Sequence, residues 1–313
     1  MAKTRSLRKR ILRLALRLFT YFVLALLVFN GVGIYVASHM PRLTSENAPL
    51  DFGMKAETIS ITTGDGITLK GWFVTGASGA PAIVFLHGLG TVKGDLVPLG
   101  RFLHQKGYTL LFFDFRNCGE SEGTCSSFGA NERLDLEAAL DFLRSRKDVD
   151  AETIGLVGVS LGSAVAADIG AREPAVKAMV LDSAFPSAEA VIGNIHRKFH
   201  LPAFPFAKLS KWMLEAWFWT DYDAIAPISA VRGMDRRGLL IISGGRDPIM
   251  RPDTARKLYE AAPEPKEFWL VPEAGHVGAY ECRVREYEKK VGDLFGRFLP
   301  IREIKQPQRP DEE

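Results

Sequence analysis

Cysteine is scarce in this chain, three among 313 residues. So few cannot build a disulfide scaffold, and no Cys or His spacing matches a zinc site. Cys118 and Cys125 share a loop and could pair in an oxidising compartment, leaving Cys282 free; otherwise all three are unpaired thiols. No Gly-rich phosphate loop occurs, so neither a cofactor nor a metal is expected. A net charge of +3 is too small to argue for a nucleic-acid partner. There is no internal repeat. The length leaves room for one anchor and one domain of about 250 residues.

Charge is absent in two places. The first 17 residues hold no acid, yet Lys3, Arg5, Arg8, Lys9, Arg10, Arg13 and Arg17 crowd there. The next stretch, Leu18 to Ala37, holds no charged side chain of either sign. Twenty helical residues span about 30 Å, the hydrocarbon thickness of a bilayer. Tyr21 and Tyr35 sit near its ends, where aromatic belts lie. Asn30, Gly31 and Gly33 weaken the segment without forbidding a span. Val36-Ala37-Ser38 offers a signal-peptidase site, but the apolar run exceeds the ~7–15 residues of a signal peptide. The expectation is an uncleaved anchor over 18–37; a cleaved signal peptide and a basic surface helix are the alternatives. Basic residues stay on the cytoplasmic side. A basic cytoplasmic segment, 1–17, and an extracytoplasmic domain follow.

Residues 38–52, with Pro41 and Pro49, read as a linker. The domain is expected over 53–300, and 301–313 is a polar tail expected to fray. Thr58–Thr62 and Ile67–Val74 alternate around Gly64-Asp65-Gly66, a hairpin signal. Strands are then predicted near 82–87, 108–113, 153–159, 177–181, 239–243 and 267–271. Helices are predicted near 95–106, 131–146, 161–171, 252–262 and 281–298. Such alternation gives a mostly parallel sheet covered on both faces, with a site at its strand ends.

One such strand end carries Gly158-Val159-Ser160-Leu161-Gly162. The apolar run Thr153–Val157 precedes it and the helix-forming Ala164–Ile169 follows. A tight strand-to-helix turn would hold the Ser160 hydroxyl above the sheet, and glycines flank it where side chains would collide. The five residues alone are a weak signal; their surroundings decide.

A serine hydroxyl needs a base to take its proton, and the base needs an acid to orient it. Of six histidines, only His276 lies on a loop beyond a late strand, Phe268–Val271. The acid is expected at Asp247, in Gly244-Gly245-Arg246-Asp247-Pro248 after the buried run Leu239–Ser243. Asp182, ending the strand Ala178–Leu181, is the rival. Two oxyanion donors are expected: the N–H of Leu161 and that of Leu89, in His87-Gly88-Leu89-Gly90 after the strand Pro81–Leu86. His87 is expected to brace that loop rather than to react.

With these residues the chain resembles the α/β-hydrolase superfamily, most closely its single-domain esterase, thioesterase and serine-aminopeptidase-like members. The resemblance covers roughly Phe52 to Pro300. It includes Asp114-Phe115-Arg116-Asn117-Cys118-Gly119-Glu120-Ser121, similar to the family's Asp-x-Arg-Gly-x-Gly-x-Ser loop with Asn117 in place of the first Gly. Asn tolerates positive φ, so the departure is mild. In the family the nucleophile, acid and base follow in that order, as Ser160, Asp247 and His276 do. Asp114, Arg116 and Asp135 are then structural.

The interval from Ser183 to Arg237 is longer than one crossover helix needs. A helical cap over 183–237 is expected, rich in Phe and Trp. It packs on the core, forms an apolar acyl pocket facing the bilayer, or does both. The resemblance implies a serine hydrolase acting on a small-molecule or acyl ester or thioester, and with the expected anchor over 18–37 it is a membrane-anchored one. A peptidase or amidase of the same fold is one alternative; a non-catalytic membrane-tethered binding module is another.

Overall fold

A computed structural model describes residues 2–200 and 202–301. The side chains of residues 2–7 lie outside the description, as does the expected tail over 301–313 except Ile301, which packs partly buried on the core.

The chain opens with α1 (Ala2–Ser38), 37 residues long. The basic segment and the uncharged stretch are thus one continuous rod. Its Arg8–Ser38 portion is long and apolar enough to cross a membrane. From Val23 onward one stripe of α1 is covered: Val23, Leu26, Leu27, Asn30, Gly31 and Ile34. Their spacing of three and four residues is one helical face. The opposite face stays exposed at Leu24, Val28, Phe29 and Val32.

Residues 38–52 differ from the expected linker. They lie as a strap on the domain and end in a single 3-10 turn, Pro49–Phe52. Ser126 donates its N–H to the Ser38 carbonyl at 2.8 Å. Arg42 donates to the carbonyls of Ser121 and Gly123, at 2.6 and 2.8 Å. The physical reason is unpaired backbone: carbonyls of the Asp114–Gly123 loop need donors, and a guanidinium supplies several at once.

β1 (Glu57–Thr62) and β2 (Thr68–Val74) form the hairpin, antiparallel with Glu57 opposite Phe73. β3 (Ala80–Leu86), α2 (Val97–Gln105), β4 (Thr109–Phe113) and α3 (Glu132–Ser145) follow. Next come β5 (Val149–Val159), α4 (Leu161–Arg172) and β6 (Val176–Asp182). The cap inserts α5 (Ala188–Lys198), α6 (Phe206–Phe218) and α7 (Pro227–Arg232). β7 (Gly238–Gly244), α8 (Pro252–Ala261), β8 (Lys266–Val271), α9 (Ala279–Cys282) and α10 (Val284–Phe298) complete the chain. The sheet order is β1-β2-β4-β3-β5-β6-β7-β8. β3 to β8 are parallel, and β2 is antiparallel to both β1 and β4.

Most element ends fall within two residues of those predicted, and two departures are larger. β5 starts four residues early, because Val149 and Asp150 pair with Ala80 and Pro81 before a register shift. The single helix predicted near 281–298 is two, α9 and α10, interrupted at Arg283, whose φ of −142° is not helical.

Central strands are buried on both faces, as continuous apolar runs require in a parallel sheet. Alternate residues serve opposite cores. Ala82, Val84 and Leu86 of β3 join α3, α4, α7 and α8 on one side. Ile83 and Phe85 join α2, α9 and α10 on the other. Both layers meet at the carboxyl ends of β3, β5, β7 and β8, where the loops carrying His87, Ser160, Asp247 and His276 emerge. α6 packs on α1: the Phe22 and Phe206 rings meet edge-on at 6.5 Å, and the Ser210 hydroxyl donates to Asn30 Oδ1.

Candidate active site

Ser160 follows the last residue of β5 and precedes the first of α4. Its backbone has φ 53° and ψ −114°, in the region that side chains disfavour. That conformation needs external support. The Ser160 N–H donates to the Asp182 carbonyl at 2.9 Å. The Ser160 carbonyl accepts from the Ser163 N–H at 3.0 Å and from the Ser163 hydroxyl at 2.6 Å. Space is equally constrained. A Cβ on Gly158 would fall on the Gly162 carbonyl, and one on Gly162 would fall on the Leu86 carbonyl. The two glycines flanking the serine are required by backbone contact.

The structure brings Ser160, His276 and Asp247 together from three loops. His276 Nε2 lies 3.0 Å from Ser160 Oγ, and His276 Nδ1 lies 2.6 Å from Asp247 Oδ2. Asp247 Oδ1 accepts the N–H groups of Ile249 at 2.9 Å and Met250 at 2.8 Å. Burial raises the Asp247 pKa, but the His276 hydrogen bond and charge, with these two N–H groups, hold it below the usual carboxylate range. Its side chain has no exposure, whereas His276 is one-third exposed. The carboxylate is therefore sheltered while the imidazole edge faces outward. A carboxylate on Nδ1 fixes the tautomer that leaves Nε2 free to accept a proton from Ser160.

Asp182, the rival acid, stands elsewhere. The Ser183 hydroxyl donates to its carboxylate at 3.2 Å. Ser183 Oγ in turn accepts the Val277 N–H at 2.9 Å, directly after His276. Complete burial pushes the Asp182 carboxyl up to about 6. Sequence reasoning missed Ser183, and no motif marks it.

Leu161 opens α4, so its N–H has no intrahelical acceptor. The Leu89 loop lies close: a Cβ on Gly88 would stand 3.3 Å from Ser160 Cβ. His87 is buried and braces this loop. Its Nε2 accepts the Phe115 N–H at 2.9 Å, so Nδ1 carries the proton and donates to the Gly88 carbonyl at 2.8 Å. Burial lowers its pKa, keeping the ring neutral. The strap closes the far side. Met40 Sδ stands 2.8 Å from where a Gly90 Cβ would lie.

Asp114 and Asp135 are ion-pair anchors. Lys93 Nζ meets Asp114 and Glu120, each at 2.7 Å. Arg116 binds Asp135 and Asp65, each at 2.7 Å. Burial raises the Asp135 pKa to about 7 against the pull of Arg116. Asn117 has φ 60°, the positive value its replacement of Gly demands. Glu132, also buried, accepts from Ser126, Ser127 and Gly129. Cys118, Cys125 and Cys282 are free thiols, so the possible Cys118–Cys125 pairing is not made. Burial pushes the Cys118 thiol up to about 12, leaving it protonated and unreactive. Among the described residues one carboxylate cluster has metal-ligand spacing, Glu215, Asp221 and Asp223. The Lys211 ammonium lies 2.8 Å from Glu215 and 2.7 Å from Asp223, which supplies the balancing charge.

Residues 83–289 match the model of the alpha/beta hydrolase family. The uncharacterized protein YfhR of Salmonella typhimurium is 31% identical over 261 residues, covering 78% of this chain and 82% of its own. The thiohydrolase aneE of Aspergillus aculeatus is 36% identical over 135 residues, 42% of each chain. Among solved structures, a Pyrococcus furiosus esterase superposes with a TM-score of 0.69 at 25% identity, covering 83% of this chain and 99% of its own.

Proposed function

The chain belongs to the alpha/beta hydrolase family, and we propose that within it the protein is a membrane-anchored serine hydrolase of carboxylic esters or thioesters. The observation that carries the reading is the relay from Asp247 through His276 to Ser160, at 2.6 and 3.0 Å. In this reading Ser160 Oγ attacks the substrate carbonyl while His276 Nε2 takes its proton. Asp247 holds the imidazole and offsets the charge that forms on it. The N–H groups of Leu161 and Leu89 receive the oxyanion. The tetrahedral adduct collapses to an acyl-enzyme as protonated His276 gives its proton to the leaving oxygen or sulfur. Water, activated by the same imidazole, then releases the acid and restores Ser160.

Ester or thioester cleavage is supported by the similarity to an esterase and a thiohydrolase. Residues 18–37 of α1 serve as the anchor, 1–17 stay in the cytoplasm, and 53–300, with a cap over about 183–237, form the extracytoplasmic hydrolase domain. The positive-inside rule supports that orientation.

A fluorophosphonate probe tests the chemistry. The wild-type protein should become covalently labelled, and Ser160→Ala should not. Equal labelling of both would remove Ser160 from the mechanism. An unlabelled wild-type protein that still binds acyl ligands would favour a non-catalytic binding module instead.

A further inference from the structure

α1 and α6 lie side by side from Phe22 to Gly31, about half of the uncharged stretch. Phe22 meets Phe206, Asn30 meets Ser210, and Met213 Cε lies 3.7 Å from where a Gly31 Cβ would stand. Phe22 to Gly31 is about 15 Å of helix, and α6 is about 20 Å long. One helix cannot lie in hydrocarbon while a neighbour touching it over that length lies in water. Either both are wet, or both meet lipid.

The outward side of α6 decides. Trp212 is 62% exposed, Trp217 46% and Trp219 93%. These are three of the five tryptophans in the chain. Phe204 is 77% exposed just before the helix, and Phe199 is 64% exposed. Indoles and phenyl rings in such density are costly in water and are the residues that populate membrane interfaces. The one outward charge within α6, Lys208, has a stem long enough to carry its ammonium to lipid headgroups. The contact itself has the chemistry of paired membrane helices. Asn30 Nδ2 donates to the Leu26 carbonyl at 2.9 Å while its Oδ1 accepts from Ser210, so the amide is held on both its oxygen and its nitrogen. The reacting groups are near. Met40, two residues past α1, covers Gly90 beside Leu89.

The geometry points to α6, with Phe199 and Phe204, as a second membrane-inserted element beside α1, and to an acyl ester or thioester resident in that bilayer as the substrate. It rests on the reading of α1 as a membrane helix and of Ser160 as the nucleophile.

The full-length protein, reconstituted in phosphatidylcholine–phosphatidylglycerol vesicles, tests the insertion. Trp217→Phe and Trp219→Phe leave Trp212 as the outward indole, and adding Trp212→Phe provides the subtraction. Brominated acyl chains should remove about half or more of the Trp212 emission, with acrylamide having little effect. Quenching by acrylamide alone, in protein that still floats with the vesicles, would overturn the insertion of α6. Protein that does not float with vesicles would overturn the membrane reading of α1 and this inference with it. A second measurement tests the substrate. Phe204→Glu with Trp212→Glu, shown to keep its melting temperature in detergent, should lower turnover of a vesicle-embedded long-chain ester by about tenfold or more relative to a soluble short-chain ester. An unchanged ratio overturns the bilayer-resident substrate. Activity retained by Ser160→Ala on either ester would defeat the serine reading while leaving the bromolipid result intact.

Discussion

The backbone N–H of Ser160 donates to the carbonyl oxygen of Asp182 at 2.9 Å. The strained residue at the end of β5 is thereby tied to the last residue of β6. Asp182 sends its carboxylate to Ser183, while Asp247 holds His276 Nδ1 directly. The two aspartates therefore have separable tasks.

Asp247→Asn should keep the geometry but present the wrong partner to Nδ1, lowering kcat by roughly 10⁴. Asp182→Asn should cost far less. Steady-state kinetics of both variants on one ester checks the assignment, and the reverse ranking would exchange their roles.

Asp182 should also leave a mark on stability. Burial raises its carboxyl from 3.8 to about 6. Between those values the folded protein keeps a proton that the unfolded chain has released. Stability contributed by the neutral carboxyl is then full below about pH 4, falls as pH rises, and is gone above about pH 6. The loss is on the order of 3 kcal/mol. Asp182→Asn cannot ionise, so its urea midpoint should fall less than that of wild type between about pH 4 and pH 7. Parallel profiles would show that another group titrates there.

Glycine substitutions separate contact from propensity. Gly162→Ala would press a methyl onto the Leu86 carbonyl and should lower stability by about 3 kcal/mol or more. Gly296→Ala, in α10 with nothing within 4 Å of the new atom, should raise it by up to about 1 kcal/mol. Thermal melts of the two variants should move in opposite directions.

The anchor reading predicts that alkaline and high-salt washing leave the protein in the membrane fraction. Salt would release a protein held only by its basic residues. Protease added to spheroplasts should digest the domain and spare an N-terminal tag. A mature N-terminus near His39 would reveal a cleaved signal peptide, and full protection would reverse the topology.

The sheet was legible because its central strands are buried on both faces, and unbroken apolar runs such as Ile83–Leu86 and Leu239–Ile242 have little other use. The adjacency of Asp247 and His276 has a sequence trace: Asp247 follows such a run on a loop, and His276 follows the edge strand β8, which is only half buried. Contacts distant in sequence were not. Asn30 reads in sequence as a flaw in an apolar segment, yet Ser210, far along the chain, completes its hydrogen bonding. The strap over 38–52 reads as a linker because its holding interactions belong to loop carbonyls, which carry no sequence signature. The break at Arg283 has neither Pro nor Gly to announce it.

The Met40–Gly90 contact makes removal of α1 and the strap a chemical change as well as a shortening. A shortened chain beginning near Phe52, the natural choice for a water-soluble preparation, would lose the thioether that covers the loop bearing Leu89. It would lose the guanidinium that holds the Ser121 and Gly123 carbonyls, and it would leave Ser210 without Asn30. Its rates and acyl-chain preference would then describe a loosened Leu89 loop beneath an uncovered cap helix. Activity profiles gathered on such a fragment should differ from those of the intact protein in detergent, most of all for long acyl chains.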